Sequence, residues 1–379
     1  MNSRQRVRAA IAREPVDKVP LGFYAVDHDT IERVIGRKTY VRNKIETQIA
    51  LWQGRREEVA AGLKTDTVEF YRKIDCADII LPKEAHILPA ADYEPIGAEE
   101  VEPNIWRTGD GRVYKAVPHV NEIQCIHDPH PPRTEYTVAE FADRPPAAPP
   151  DESCFEAIDH LVAELGDQRY IPSYIGTTAL VLLGGTENGL MMYALQPEVI
   201  HAAAAAGVRD QNAADDVAIR PGTAGIMFDQ DMAGSNGPLI SPAMFRDMCL
   251  PYFRQRVEHV KRYRDQLILH NCGNTIPLME MFIEAGLDCY QSLQTTAGME
   301  VGRLKEMFGG RLCFWGGVGV EVLITGTPDD VRKAVRTAMA RGAPGGGFIL
   351  GPSHSIAMNT TYENFMALLD EFTKHRDSP

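Results

Sequence analysis

No apolar stretch in the 379 residues approaches the roughly 18 that a membrane-spanning helix needs. Basic charge is also short. Lys plus Arg number 39 against 52 Asp plus Glu, a net charge of −13, which argues against a nucleic-acid-binding surface. The cysteines, at 76, 125, 154, 249, 272, 289 and 313, are odd in number and scattered, so no disulfide framework is expected. The opening MNSRQRVRAAIAREP is basic but has no apolar core or small-residue cleavage site. It reads as a short amphipathic helix ended by Pro15, and a reducing, cytoplasmic setting is expected, with thiols free for chemistry. Phosphate loops are missing too. The glycine clusters at 316–319 and 345–347 lack the lysine and Ser/Thr that a nucleotide-binding loop requires, and tight turns explain them. There is no G-x-S-x-G elbow. With 44% hydrophobic and 24% charged residues, the chain can bury a large core and is not disordered.

What is present is alternation. Short apolar runs at 19–26, 77–81, 170–175, 225–228, 266–269, 289–293, 312–315 and 348–350 read as buried strands. Helical periodicity lies between them, best at 42–63, 152–165, 242–263, 277–285 and 329–341. Eight βα alternations predict an α/β protein, a (β/α)8 TIM barrel, with a doubly wound sheet as the alternative. The segment IWRTGDGRVY at 105–114 breaks the rhythm, and its Asp110-Gly111 is a strong hairpin signal. RPPAAPP at 144–150 then acts as a stiff connector. One domain over 1–379 is expected, with an antiparallel hairpin insertion at about 100–150.

The densest chemical signal is LILHNCG at 267–273. An apolar strand ends in His270-x-Cys272, and spacing of two along extended chain puts both side chains on one side. At the carboxyl end of a barrel strand these would form half of a zinc site; the bland alternative is a buried histidine and a core thiol. A later strand end delivers His354. Together the three donors suit a borderline cation with one position open. Without a metal, His354 would instead serve in acid–base work. Asp229 and Asp231 close another strand, as general base, further ligand or substrate anchor, or simply as turn caps. Cys76, Cys249, Cys289 and Cys313 read as core.

Several ordered segments share one likeness. DKVP at 17–20, PLISPAMF at 238–245 with LPY at 250–252, HNCG at 270–273, FWGG at 314–317, GTP at 326–328 and ILGPSHSI at 349–356 with Glu363-Asn364 resemble the uroporphyrinogen decarboxylase superfamily. The resemblance implies an α/β barrel and one of two activities, tetrapyrrole decarboxylation or corrinoid-linked methyl transfer. Decarboxylases carry an arginine-bearing segment after the first strand, whereas 21–30 here has no arginine. The methyltransferase branch binds zinc through a His-x-Cys pair and a later cysteine. His270 and Cys272 match the pair, but Ser353 and His354 stand where the later thiol would fall.

The resemblance therefore implies a zinc-dependent methyltransferase on His270, Cys272 and His354, moving a methyl group between a small substrate or carrier and a corrinoid (cobalamin) on a separate protein. The setting would be demethylation or methylotrophy, and a homodimer is implied by likeness. Asp229, Asp231 and His354 would be catalytic, and Tyr174, Asn236 and Gln291 would contact substrate. Two other readings stay open. One is a metal-independent decarboxylase or a folate-linked methyltransferase using His/Asp chemistry. The other is a non-catalytic corrinoid-binding protein.

Overall fold

The computed structural model describes residues 1–81, 83, 88–130, 132–142 and 144–377. Its strands in chain order are β1 (Gly22–Phe23), β2 (Ile79–Ile80), β3 (Ala98–Glu102), β4 (Ile105–Thr108), β5 (Val113–Val117), β6 (Glu122–His127), β7 (Ser173–Ile175), β8 (Ile226–Asp229), β9 (Ala233–Gly234), β10 (Gly237–Pro238), β11 (Leu267–His270), β12 (Cys289–Gln291), β13 (Cys313–Val318) and β14 (Phe348–Pro352). The molecule is an α/β fold with a parallel sheet at its centre. Six strands pair in parallel in the order β14-β13-β12-β11-β8-β7, and β1 pairs in parallel with β2. Isolated parallel bridges join Leu21 to Leu350 and Ile79 to Tyr170. Strands β3 to β6 form a separate antiparallel sheet, and Asp110-Gly111 lies in the turn between β4 and β5.

The central strands are apolar on both faces, which is why they read as continuous runs rather than alternating ones. Phe228, Leu267, Leu269, Tyr290, Phe314, Phe348 and Leu350 belong to a cluster that includes the helices. Their neighbours in sequence, Met227, Ile268, Cys289, Cys313, Trp315 and Ile349, pack in a second cluster with Tyr24 and Tyr170. Phe253 on the helix Leu250–Val260 meets Phe228 at 6.0 Å and Phe282 at 5.6 Å between ring centroids. Each such ring contributes about 1.5–3 kcal/mol by leaving water. Gly22 has a specific reason to lack a side chain. A Cβ there would lie 2.7 Å from the Trp315 ring, whose Nε1 donates to Gly22 O at 3.1 Å.

Helices depart from the sequence expectation in two places. The expected helix over 42–63 is two helices, Lys44–Trp52 and Arg56–Lys73, because Gly54 takes φ +75, a left-handed stop that the periodicity runs across. The expected helix over 242–263 divides into Pro242–Met248 and Leu250–Val260, with Pro251 in the first turn of the second. The alanine-rich helix Pro197–Ala218, the longest among the described residues, falls outside the spans of best helical periodicity. No described helix is long and apolar enough to cross a membrane.

Candidate metal centre and active site

Parallel pairing aligns the carboxyl ends of three neighbouring strands. His270 is in register with Asp229 on one side and with Gln291 on the other. The chain then turns at Gly273, whose φ of +83 and close approach to the Ala233 and Gly234 carbonyls exclude any side chain, and this holds Cys272 beside His270. Cys272 Sγ lies 3.4 Å from His270 Nε2 and 3.5 Å from Ser292 Oγ. His354, two residues beyond β14, completes the group. One ligand atom from each of His270, Cys272 and His354 falls within 4.8 Å of the others.

The electrostatics suit cation binding. His270 Nδ1 is hydrogen-bonded to Gln291 Oε1, and an oxygen partner requires the proton on Nδ1, so the Nε2 lone pair faces Cys272. Burial, only partly offset by Asp229, lowers the His270 pKa. Burial, with His270, Lys83 and Arg42 nearby, brings His354 down to about 4. Both imidazoles are therefore neutral, ligand-competent bases at pH 7. Burial, reinforced by Asp231, pushes the Cys272 thiol up to about 12. A cation taken up here has to displace that proton. Two neutral nitrogens, one sulfur and an oriented tautomer fit a zinc-like ion.

Beside this cluster sits a second one. Asp229 Oδ2 accepts hydrogen bonds from the Tyr24 and Tyr174 hydroxyls, and Lys83 Nζ lies 3.1 Å away. Burial opposes the charge on Asp229. His270, Lys83 and the two hydroxyls outweigh it and hold the carboxyl below its usual range. Tyr24 ties the two clusters together: its ring stacks flat on His270, with 3.7 Å between centroids and 9° between planes. Lys83 Nζ stands 4.1 Å over the same ring.

Of the residues singled out in sequence, His270, Cys272, His354, Asp229 and Tyr174 meet in these two clusters. Asp231 is exposed, and its Oδ1 accepts from the Cys272 backbone N–H at 2.8 Å, so it orders the ligand loop. Gln291 is fully buried with His270 as its partner. Asn236 sits exposed in the turn between β9 and β10, with no hydrogen bond to either cluster among the described residues.

Sequence reasoning passed over Tyr24, Lys83 and Ser292. Tyr24 sits inside an apolar run and reads as core, and Lys83 reads as a solvated charge. Ser292 adopts φ +82 and donates to Ser353 O at 2.6 Å. Position just past a strand end was the signal that could have found all three.

These features define a parallel α/β protein with a cation-competent His–Cys–His group at its strand ends. The chain belongs to the uroporphyrinogen decarboxylase (URO-D) family, whose model matches residues 124–375. That span includes the three candidate ligands but neither Tyr24 nor Lys83. Over 192 residues the chain is 26% identical to a methylated-thiol–coenzyme M methyltransferase of Methanosarcina mazei, an alignment covering 49% of this chain and 47% of that protein. The chain thus spans about half the length of the curated relative it matches. A solved methyltransferase from Methanosarcina mazei shares the fold across 99% of both chains, with a TM-score of 0.65 at 18% identity.

Proposed function

We propose that this protein is a zinc-dependent methyltransferase that moves a methyl group between a small methylated substrate or carrier and a corrinoid. The convergence of His270, Cys272 and His354 within 4.8 Å, both imidazoles neutral, carries the reading. The half-length similarity to a methylated-thiol methyltransferase supports it, and the corrinoid as methyl partner follows from the family resemblance. The bridges that link the β1–β2 pair to both edges of the six-stranded sheet support a closed (β/α)8 barrel, with this group at its carboxyl mouth.

Zinc held by two imidazoles and a single thiolate would act as a Lewis acid toward the heteroatom that carries the methyl group. The chain's own residues prepare that position. Gln291 fixes the His270 tautomer, and Asp231 fixes the backbone at Cys272. Asp229 gathers Tyr24, Tyr174 and Lys83 into a proton-bearing cluster that can return a proton to the demethylated heteroatom or accept one from it. The mouth is poorly suited to a polycarboxylate, since Lys83 and Arg42 are already paired with Asp229 and Asp27. The test is methylcobalamin formation from cob(I)alamin and a panel of methyl thioethers and methyl ethers. Turnover is expected with the zinc-loaded protein and lost after chelation. Undiminished turnover in the chelated protein would contradict the proposal.

A further inference from the structure

A groove lined in part by Asp229 and Gln230 opens between the loop over 176–183 and the helix Pro197–Ala218, with a volume of about 370 Å³. That is large enough for a small-molecule fragment. Three buried polar atoms on its lining have no hydrogen-bond partner among the described residues: Thr177 Oγ1, Thr178 Oγ1 and Gln211 Oε1. Thr177 is only 3% exposed, and a hydroxyl left unmatched at that depth carries a desolvation cost until a partner is supplied.

The groove is built rather than incidental. Gln230 Oε1 accepts from Ala179 N at 3.1 Å and Leu180 N at 2.8 Å, and its Nε2 donates to Leu180 O at 2.6 Å. The loop is thus registered to the residue that follows Asp229. Gly207 on the helix admits Thr178, since a Cβ there would meet Thr178 Cγ2 at 2.6 Å. Thr178 itself is held at φ +52, a strained conformation for a β-branched residue.

Charge narrows the ligand. Arg144, the only cation on the lining among the described residues, is paired with Asp210 through both terminal guanidinium nitrogens. Asp229 also lines the groove, with its carboxylate already bound by Lys83 and the Tyr24 and Tyr174 hydroxyls. An anionic group entering here would find, among the described lining residues, no cation that is not already paired with a carboxylate. Hydroxyls that donate or accept, with an amide oxygen that accepts, match a neutral group carrying both N–H or O–H and C=O.

We infer that this groove binds the non-reacting end of the substrate, and that this end is a neutral hydrogen-bonding group of the carboxamide or hydroxyl class rather than an anion. The inference rests on reading the adjoining centre as a methyl-transfer site.

The test compares two methyl thioethers that differ only at that end, 3-(methylthio)propanamide and 3-(methylthio)propanoate. Binding to the full-length protein is measured by calorimetry, with and without zinc. The amide should bind at least about tenfold more tightly, the worth of one matched hydrogen bond. Thr177→Val and Gln211→Leu together should shrink that preference to within about twofold, with zinc content unchanged.

Equal or tighter binding of the carboxylate, no detectable binding of either compound, or a preference that survives both substitutions would overturn the inference. The groove holds none of the candidate ligands, so the two proposals fail separately. A preference without methyl transfer contradicts the proposed activity and leaves the groove standing, and transfer without a preference does the reverse.

Discussion

Replacing Gln291 by leucine keeps the side-chain volume but removes the acceptor that His270 Nδ1 faces. His270 is 2% exposed and Gln291 fully buried, so water cannot substitute. An unpaired Nδ1–H would cost about 1–3 kcal/mol. The imidazole can avoid that by moving its proton to Nε2, where Cys272 Sγ lies 3.4 Å away to accept it. The lone pair aimed at the metal position is then lost. Loss of an orienting partner of this kind typically lowers metal affinity about 10–100-fold, or about 1.4–2.7 kcal/mol.

The zinc-free protein should respond differently. Gln291 Nε2 has no partner among the described residues, so leucine also removes a buried unmatched donor. The two effects oppose each other, and metal-free stability should change by no more than about 1 kcal/mol. The assay is zinc competition against a chromophoric chelator, paired with urea unfolding of the metal-free protein. Zinc affinity within about twofold of wild type would refute the assigned tautomer and with it the role of Gln291.

Protonation of His354 supplies a further expectation. Its folded pKa of about 4 lies below the unfolded value of 6.5, so the unfolded chain takes up the proton first as pH falls. Stability present above pH 6.5 should decline toward pH 4 by about 3 kcal/mol more in metal-free wild type than in His354→Gln, which keeps the contribution of His270, read as the pH dependence of the urea midpoint; parallel profiles would contradict it. Asp229→Asn removes the carboxylate that Tyr24, Tyr174 and Lys83 share while leaving the three candidate ligands in place. Turnover should fall about 100-fold or more with zinc content unchanged, and a kcat within about threefold of wild type would exclude Asp229 from the proton cluster.

The sequence exposed the central strands well because burial on both faces leaves an unbroken apolar run. The run at 266–269 stops one residue short of β11, since His270 is polar although it still pairs with Asp229 and Gln291. The candidate ligands were legible for the same reason, each standing where an apolar run gives way to a polar residue. Gln291 was legible as a strand-end residue, but its partner was not. Which neighbour its amide meets depends on the register of β12 against β11, and register is a property of two strands. Tyr24 and Lys83 stayed hidden because their meaning lies in what they touch across the mouth. The breaks at Gly54 and before Pro251 were visible as residues, yet the helical period continues through both and masked them.

The central claim is that two imidazoles and one sulfur, distant in sequence, grip a single divalent ion. Elemental analysis of wild type and Cys272→Ala, purified identically and offered equal zinc, tests it most directly. The account predicts about one zinc per wild-type chain and almost none in the variant. Full zinc in Cys272→Ala, or none in wild type, would contradict it.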